Sequence, residues 1–162
     1  MTLADITAVI GVVAPVSDEA VSGVEETLGA TFPPGYREYV TALGEGVLGG
    51  TYIRVYPPRR VLEEYGEAQQ RWSEYWFWDA GRDVLTKEEA LTCIIFGDTL
   101  DGDELVFQPQ QPGHIFILPR QSGAIYDAGS DLFCAIEWLC GSGILTEPFT
   151  GREFEGFDTR TT

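Results

Sequence analysis

Apolar residues recur along the first half of this chain at helical spacing and along the second half in short runs, and that change of period organises the reading. Val21, Val24 and Leu28 stand at i, i+3 and i+7 behind Ser17, which is placed to cap the helix they predict. Val16, before the cap, can pack on Val21 as a hydrophobic staple, and Gly29 stops the helix. After the link Ala30-Thr31-Phe32, Pro33-Pro34 puts a proline where a second helix can begin. Tyr36, Tyr39, Val40 and Leu43 form its stripe and Gly44 its end. Thr51 to Tyr56 is a β-branched and aromatic run that suits a strand, closed by Pro57-Pro58. Val61, Leu62, Tyr65, Ala68, Trp72, Tyr75 and Trp76 then describe an amphipathic helix that frays near Gly66 or Trp78.

Leu91 to Phe96, Glu104 to Gln108 and His114 to Leu118 are apolar runs between Gly, Asp and Pro clusters, the pattern of an antiparallel meander. A short strand around Ala124 to Tyr126 follows. Ser130 then caps a last helix with Leu132, Phe133, Ile136, Leu139 and Cys140 inward and Gly141 as its stop. From Ser142 onward no clear period remains, although Phe149, Phe154 and Phe157 can pack back on the body. The organisation expected is a flexible leader of residues 1–16, a domain over residues 17–141, and an extension of residues 142–162 packed on it. With 19 glycines and nine prolines spread over 162 residues, many turns must separate short elements, which favours one α+β domain over a helical bundle.

Charge narrows the function. Twenty-six acidic residues against ten basic ones give a net charge of −16, and Lys87 is the only lysine. Direct nucleic-acid binding, which needs basic residues to displace counterions, is disfavoured. A basic partner would be steered in. Cys93, Cys134 and Cys140 have no metal-like spacing and read as buried free thiols. The first residues, MTLADITAVIGVVAPV, lack a basic segment before their apolar run, so they make a poor signal peptide. No apolar run approaches the roughly 20 residues that cross a bilayer, and the expected compartment is the cytoplasm.

Gly44 to Gly49 matches G-x-G-x-x-G, but a helix precedes and a strand follows, the reverse of a dinucleotide site, so a flexible turn is expected and no cofactor. Asp98, Asp101, Asp103 and Glu104 crowd around Gly102 without the alternation of a calcium loop. Asp101-Gly102 reads as a tight hairpin connection, and its acids as a partner-facing patch, with no metal. In the aromatic segment, Trp72 and Trp76 should face inward, while Phe77 and Trp78 fall outside the stripe and Trp78 should be the more exposed. Glu74, Trp78 and Asp79 therefore join the candidate partner-binding set. His114 is the only histidine, and nothing in the sequence orders Ser122, Ser130 or Cys134 around it, so no catalytic residue is assigned.

Four segments resemble the SUKH superfamily, which includes the Smi/Knr-type regulators and many bacterial immunity proteins. They are VEETLGATFPPGYREYV, the pair Gly49-Gly50, FGDTLDGDELVF and SDLFCAIEWL. The resemblance implies an α+β fold with an antiparallel sheet flanked by N-terminal and C-terminal helices, no catalytic residues, and action through protein binding. In bacteria such proteins look like antidotes to polymorphic or contact-delivered toxins, frequently nucleases, whose basic clefts an acidic antidote could cover. The expectation is thus an immunity protein for a cognate toxin domain. Its alternatives are a non-inhibitory scaffold or regulator and a small carboxylate-based hydrolase.

Overall fold

The Ser17 Oγ accepts a hydrogen bond from the Ala20 N–H at 3.1 Å and opens α1 (Asp18–Leu28). In this computed structural model, which describes residues 1–50 and 52–157, Gly29 ends α1 with a left-handed φ of 63°. Glu25 ties α1 to its successor. One of its carboxylate oxygens accepts from the Phe32 N–H at 2.9 Å and the other from the Arg37 guanidinium at 2.9 Å. The second helix, α2 (Tyr36–Leu43), buries Tyr36, Tyr39, Val40 and Leu43, all four positions of its predicted stripe.

Among the described residues, eight strands form one sheet. In chain order they are β1 (Thr7–Gly11), β2 (Gly46–Leu48), β3 (Ile53–Val55), β4 (Ile94–Thr99), β5 (Glu104–Gln108), β6 (Gln111–Leu118), β7 (Tyr126–Gly129) and β8 (Glu153–Gly156). Their spatial order is β1-β8-β2-β3-β4-β5-β6-β7, with every neighbouring pair antiparallel except β1 and β8. The meander expected in the second half is present as β4 to β7. The expected strand over residues 124–126 lies later, at Tyr126–Gly129, and the first residues of the run from Leu91 form the turn that follows α4 (Lys87–Ala90), so that β4 begins only at Ile94.

Residues 1–16, expected as a flexible leader, supply β1, and the extension supplies β8 beside it. Neither strand shows a strong alternation in sequence, and each is held by the other's backbone. Gly44 to Gly49, expected as a flexible turn, contains β2, which Val47 and Leu48 fasten to Glu155 and Phe154 of β8. Phe154 is fully buried and Phe149 packs against the core, whereas Phe157 is exposed.

The long helix α3 (Pro58–Glu74) runs straight through Gly66, contrary to the expected fraying there. Gly66 points to solvent, and the burial of Val61, Ala68 and Trp72 outweighs its intrinsic cost of about 1 kcal/mol. The last helix, α5 (Leu132–Gly141), is capped by Asp131, whose Oδ1 accepts from the Cys134 N–H at 2.9 Å; Ser130 lies one residue too early. Gly141 is the final helical residue and Ser142 the C-cap. Cys93 and Cys140 are buried free thiols, but Cys134 is exposed, because it falls on the solvent side of α5 between the buried Phe133 and Ala135.

Candidate functional site

The four acids around Gly102 do not form one open patch. Strand register sets Arg54, Asp98 and Glu104 side by side across β3, β4 and β5. Arg54 donates two hydrogen bonds to Asp98, at 2.8 and 2.5 Å, and the Tyr56 hydroxyl donates a third at 2.8 Å. Asp103 is buried. Its Oδ2 accepts from the Thr99 hydroxyl at 2.8 Å and its Oδ1 from the Arg120 N–H at 3.0 Å, which locks the turn between β4 and β5. Gly102 holds that turn at a φ of 91°, as the Asp101-Gly102 pair predicts.

Glu104 is mostly buried beneath α3. One of its oxygens pairs with Arg71 and the other accepts from the Trp72 indole N–H at 2.6 Å. Burial pushes its carboxyl above the ordinary value, and the Trp72 hydrogen bond and the Arg71 charge oppose that rise. Of the predicted acidic set, Asp101, Glu74 and Asp79 are exposed, whereas Asp98, Asp103 and Glu104 are consumed in internal pairs. For Asp98 and Glu104 the reason is their place in the sheet. On a strand every second side chain faces the covered side of the sheet, and an acid there persists only when paired.

Trp78 also departs from expectation, being only 4% exposed. The helical stripe does not extend to it: α3 stops at Glu74, the chain turns, and the indole swings inward to donate to the Pro119 carbonyl at 2.7 Å. Trp72 is buried as predicted and Trp76 partly so. The exposed aromatics of this segment are Tyr75, at 66%, and Phe77, at 48%. Phe77 lies outside the stripe, as its spacing indicates; Tyr75 has the spacing of the stripe, but α3 ends one residue before it and leaves it exposed.

These side chains meet in an open cavity of about 530 Å³ between the end of α3 and the β4–β5 turn. Trp72, Tyr75, Phe77 and Trp78 line it with Glu104, and the exposed Arg71 and Arg120 lie beside them. A second concavity of about 440 Å³, with Asp101, Asp103, Ser122 and Tyr126 in its lining, lies at the same turn. The Asp101–Asp103 hairpin is thus common ground between the two. His114 is exposed and its Nδ1 lies 3.1 Å from Asp127, and among the described residues no hydrogen bond joins it to Ser122, Ser130 or Cys134.

Among the described residues, no group of three or more His, Cys, Asp or Glu side chains is arranged to hold a metal ion. No described helix is long and apolar enough to cross a membrane. Comparison with curated proteins finds no match. The family model described as the SMI1 / KNR4 family (SUKH-1) matches residues 15–136, from just before α1 to the middle of α5. The match takes in the helix stop and restart around Gly29 to Tyr36, the four-stranded meander and the cavity beside it, while β1 and β8 lie outside it. An α+β chain with this element order, matched over most of its length, belongs to the SMI1 / KNR4 family (SUKH-1).

Proposed function

We propose that this chain is an immunity protein that binds and neutralises a cognate, basic toxin domain in the cytoplasm without chemistry of its own. The observation that carries the reading is the aromatic cavity beside the hairpin. Large exposed apolar side chains next to a preformed concavity are the usual anchors of a protein interface. Glu74, Asp79 and Asp101 stand exposed on the segments that form it, and a net charge of −16 adds long-range attraction for a basic partner. Family membership supports the same reading, because SUKH domains serve as immunity and scaffold modules. Asp98, Asp103 and Glu104 support the surface from beneath, and Trp78 forms part of the cavity wall.

The test is co-expression with the reading frame adjacent to the gene, scored for growth rescue and for a co-purifying complex. In the purified pair, Asp101→Lys combined with Glu74→Lys should slow association several-fold at low salt, and Tyr75→Ala should speed dissociation. Reversal of Glu19 and Glu63, exposed on α1 and α3, serves as the charge control. Equal slowing by both pairs of reversals would place the interface elsewhere.

A further inference from the structure

We propose that the cavity between the end of α3 and the β4–β5 turn receives a large apolar side chain of the partner polypeptide that bears a carboxylate beside it. This rests on the partner-binding reading and specifies what the partner must present.

The cavity volume of about 530 Å³ lies in the range of small-ligand sites, so one bulky side chain and its neighbouring backbone fit. Its aromatic lining supplies apolar contact, with Tyr75 and Phe77 exposed and ready to be covered. The polar groups then decide the charge of the guest. Both oxygens of Glu104 are already engaged, by Arg71 and by the Trp72 indole, and the Trp78 indole is spent on the Pro119 carbonyl. A cationic guest would therefore find no free carboxylate in the lining and two guanidiniums beside it.

Arg120 supplies the opposite. It is exposed and makes no ion pair with a carboxylate among the described residues. Its side chain lies close over the hairpin, since a Cβ added at Gly102 would sit 2.7 Å from the Arg120 Cδ. Its backbone is anchored as well, by the hydrogen bond to Asp103. Arg71 has donors left after its contact with Glu104. Two guanidiniums against one carboxylate leave the lining with a local positive excess inside a strongly negative molecule. A guanidinium fork matches a carboxylate bidentately. The surrounding acids, Glu74, Asp79 and Asp101, would repel a polyanion, which restricts the guest to a single carboxylate on an apolar body.

The experiment uses the full chain and three probes: N-acetyl-L-phenylalanine, its uncharged amide, and phenethylamine. Binding is read from the indole N–H resonances of Trp72 and Trp78. The acid should give a saturable shift and bind about tenfold more tightly than the amide, the scale of one charge-assisted hydrogen-bonded contact. Arg120→Ala should reduce the acid to the level of the amide, while Arg59→Ala, which removes an exposed charge near the start of α3, should leave it unchanged. Absence of a saturable shift, equal binding of acid and amide, or tighter binding of phenethylamine would overturn the proposal. Should the probes fail while the chain still protects against its toxin, only the nature of the guest is refuted. Failure of protection with intact, Arg120-dependent probe binding would instead refute the immunity reading.

Discussion

Replacing Trp72 with phenylalanine removes ring volume from the core and the donor that satisfies a buried carboxylate oxygen. Trp72 is 1% exposed, and its indole N–H lies 2.6 Å from Glu104. The smaller ring costs about 1–2 kcal/mol in packing, by analogy with other large-to-small core changes. The orphaned oxygen of a carboxyl group held under α3 costs about 1.5–3 kcal/mol more. A total of about 2.5–5 kcal/mol follows, large beside the stability of an ordinary domain. Urea unfolding of the wild type, Trp72→Phe, Glu104→Met and the double variant separates the two contributions. The double variant has no carboxylate to orphan, so a coupling of about 1.5–3 kcal/mol should appear. The loss in Trp72→Phe should also shrink at acidic pH, where Glu104 is neutral. Additivity within about 0.5 kcal/mol would refute the claim that this hydrogen bond supports the cavity.

Three further outcomes follow from the same geometry. Burial raises the Glu104 pKa, so the folded chain holds this proton more tightly than the unfolded one. Its stabilising contribution is complete below the ordinary carboxylate value and is lost as pH rises through the folded value, so the stability of wild type relative to Glu104→Gln should fall between acidic and neutral pH, as denaturant titrations at several pH values would show. Two glycines should respond with opposite signs: Gly66→Ala should stabilise by about 0.5–1 kcal/mol in a solvent-facing helix interior, and Gly44→Ala should lower the melting temperature. At Gly44 the φ is 72°, and an added Cβ would lie 2.0 Å from the Ala14 carbonyl oxygen. Under native conditions iodoacetamide should label Cys134 alone, and slowly, because Asp131 raises its thiol pKa. Mass spectrometry would reveal any equal labelling of Cys93, whose thiol burial pushes up to about 12.

Much of the local structure was legible because its causes are local. Ser17, Gly29 and Gly44 act through the backbone groups of their own helix ends, and the stripe from Tyr36 to Leu43 follows from helical geometry alone. The hairpin at Gly102 is of the same kind. The short elements were harder. β2, with three residues, and β8, with four, have too few side chains to show a period. Their pairing joins residues about a hundred positions apart, as in Leu48 with Phe154.

The candidate site divides in the same way. Sequence alone determined the helical pair at the start, the meander, the acidic character of the molecule and the aromatic richness of the segment after Arg71, all of which depend on residue identity and near neighbours. The tertiary structure decided which charges remain on the surface. Asp98, Asp103 and Glu104 look no different in sequence from Asp101, yet register and the placement of α3 bring Arg54, Thr99 and Trp72 to the first three and leave the fourth in water. Whether a carboxylate is surface or scaffold depends on which distant donors reach its oxygens, and that is fixed only when the strands align and the helix lies down on them.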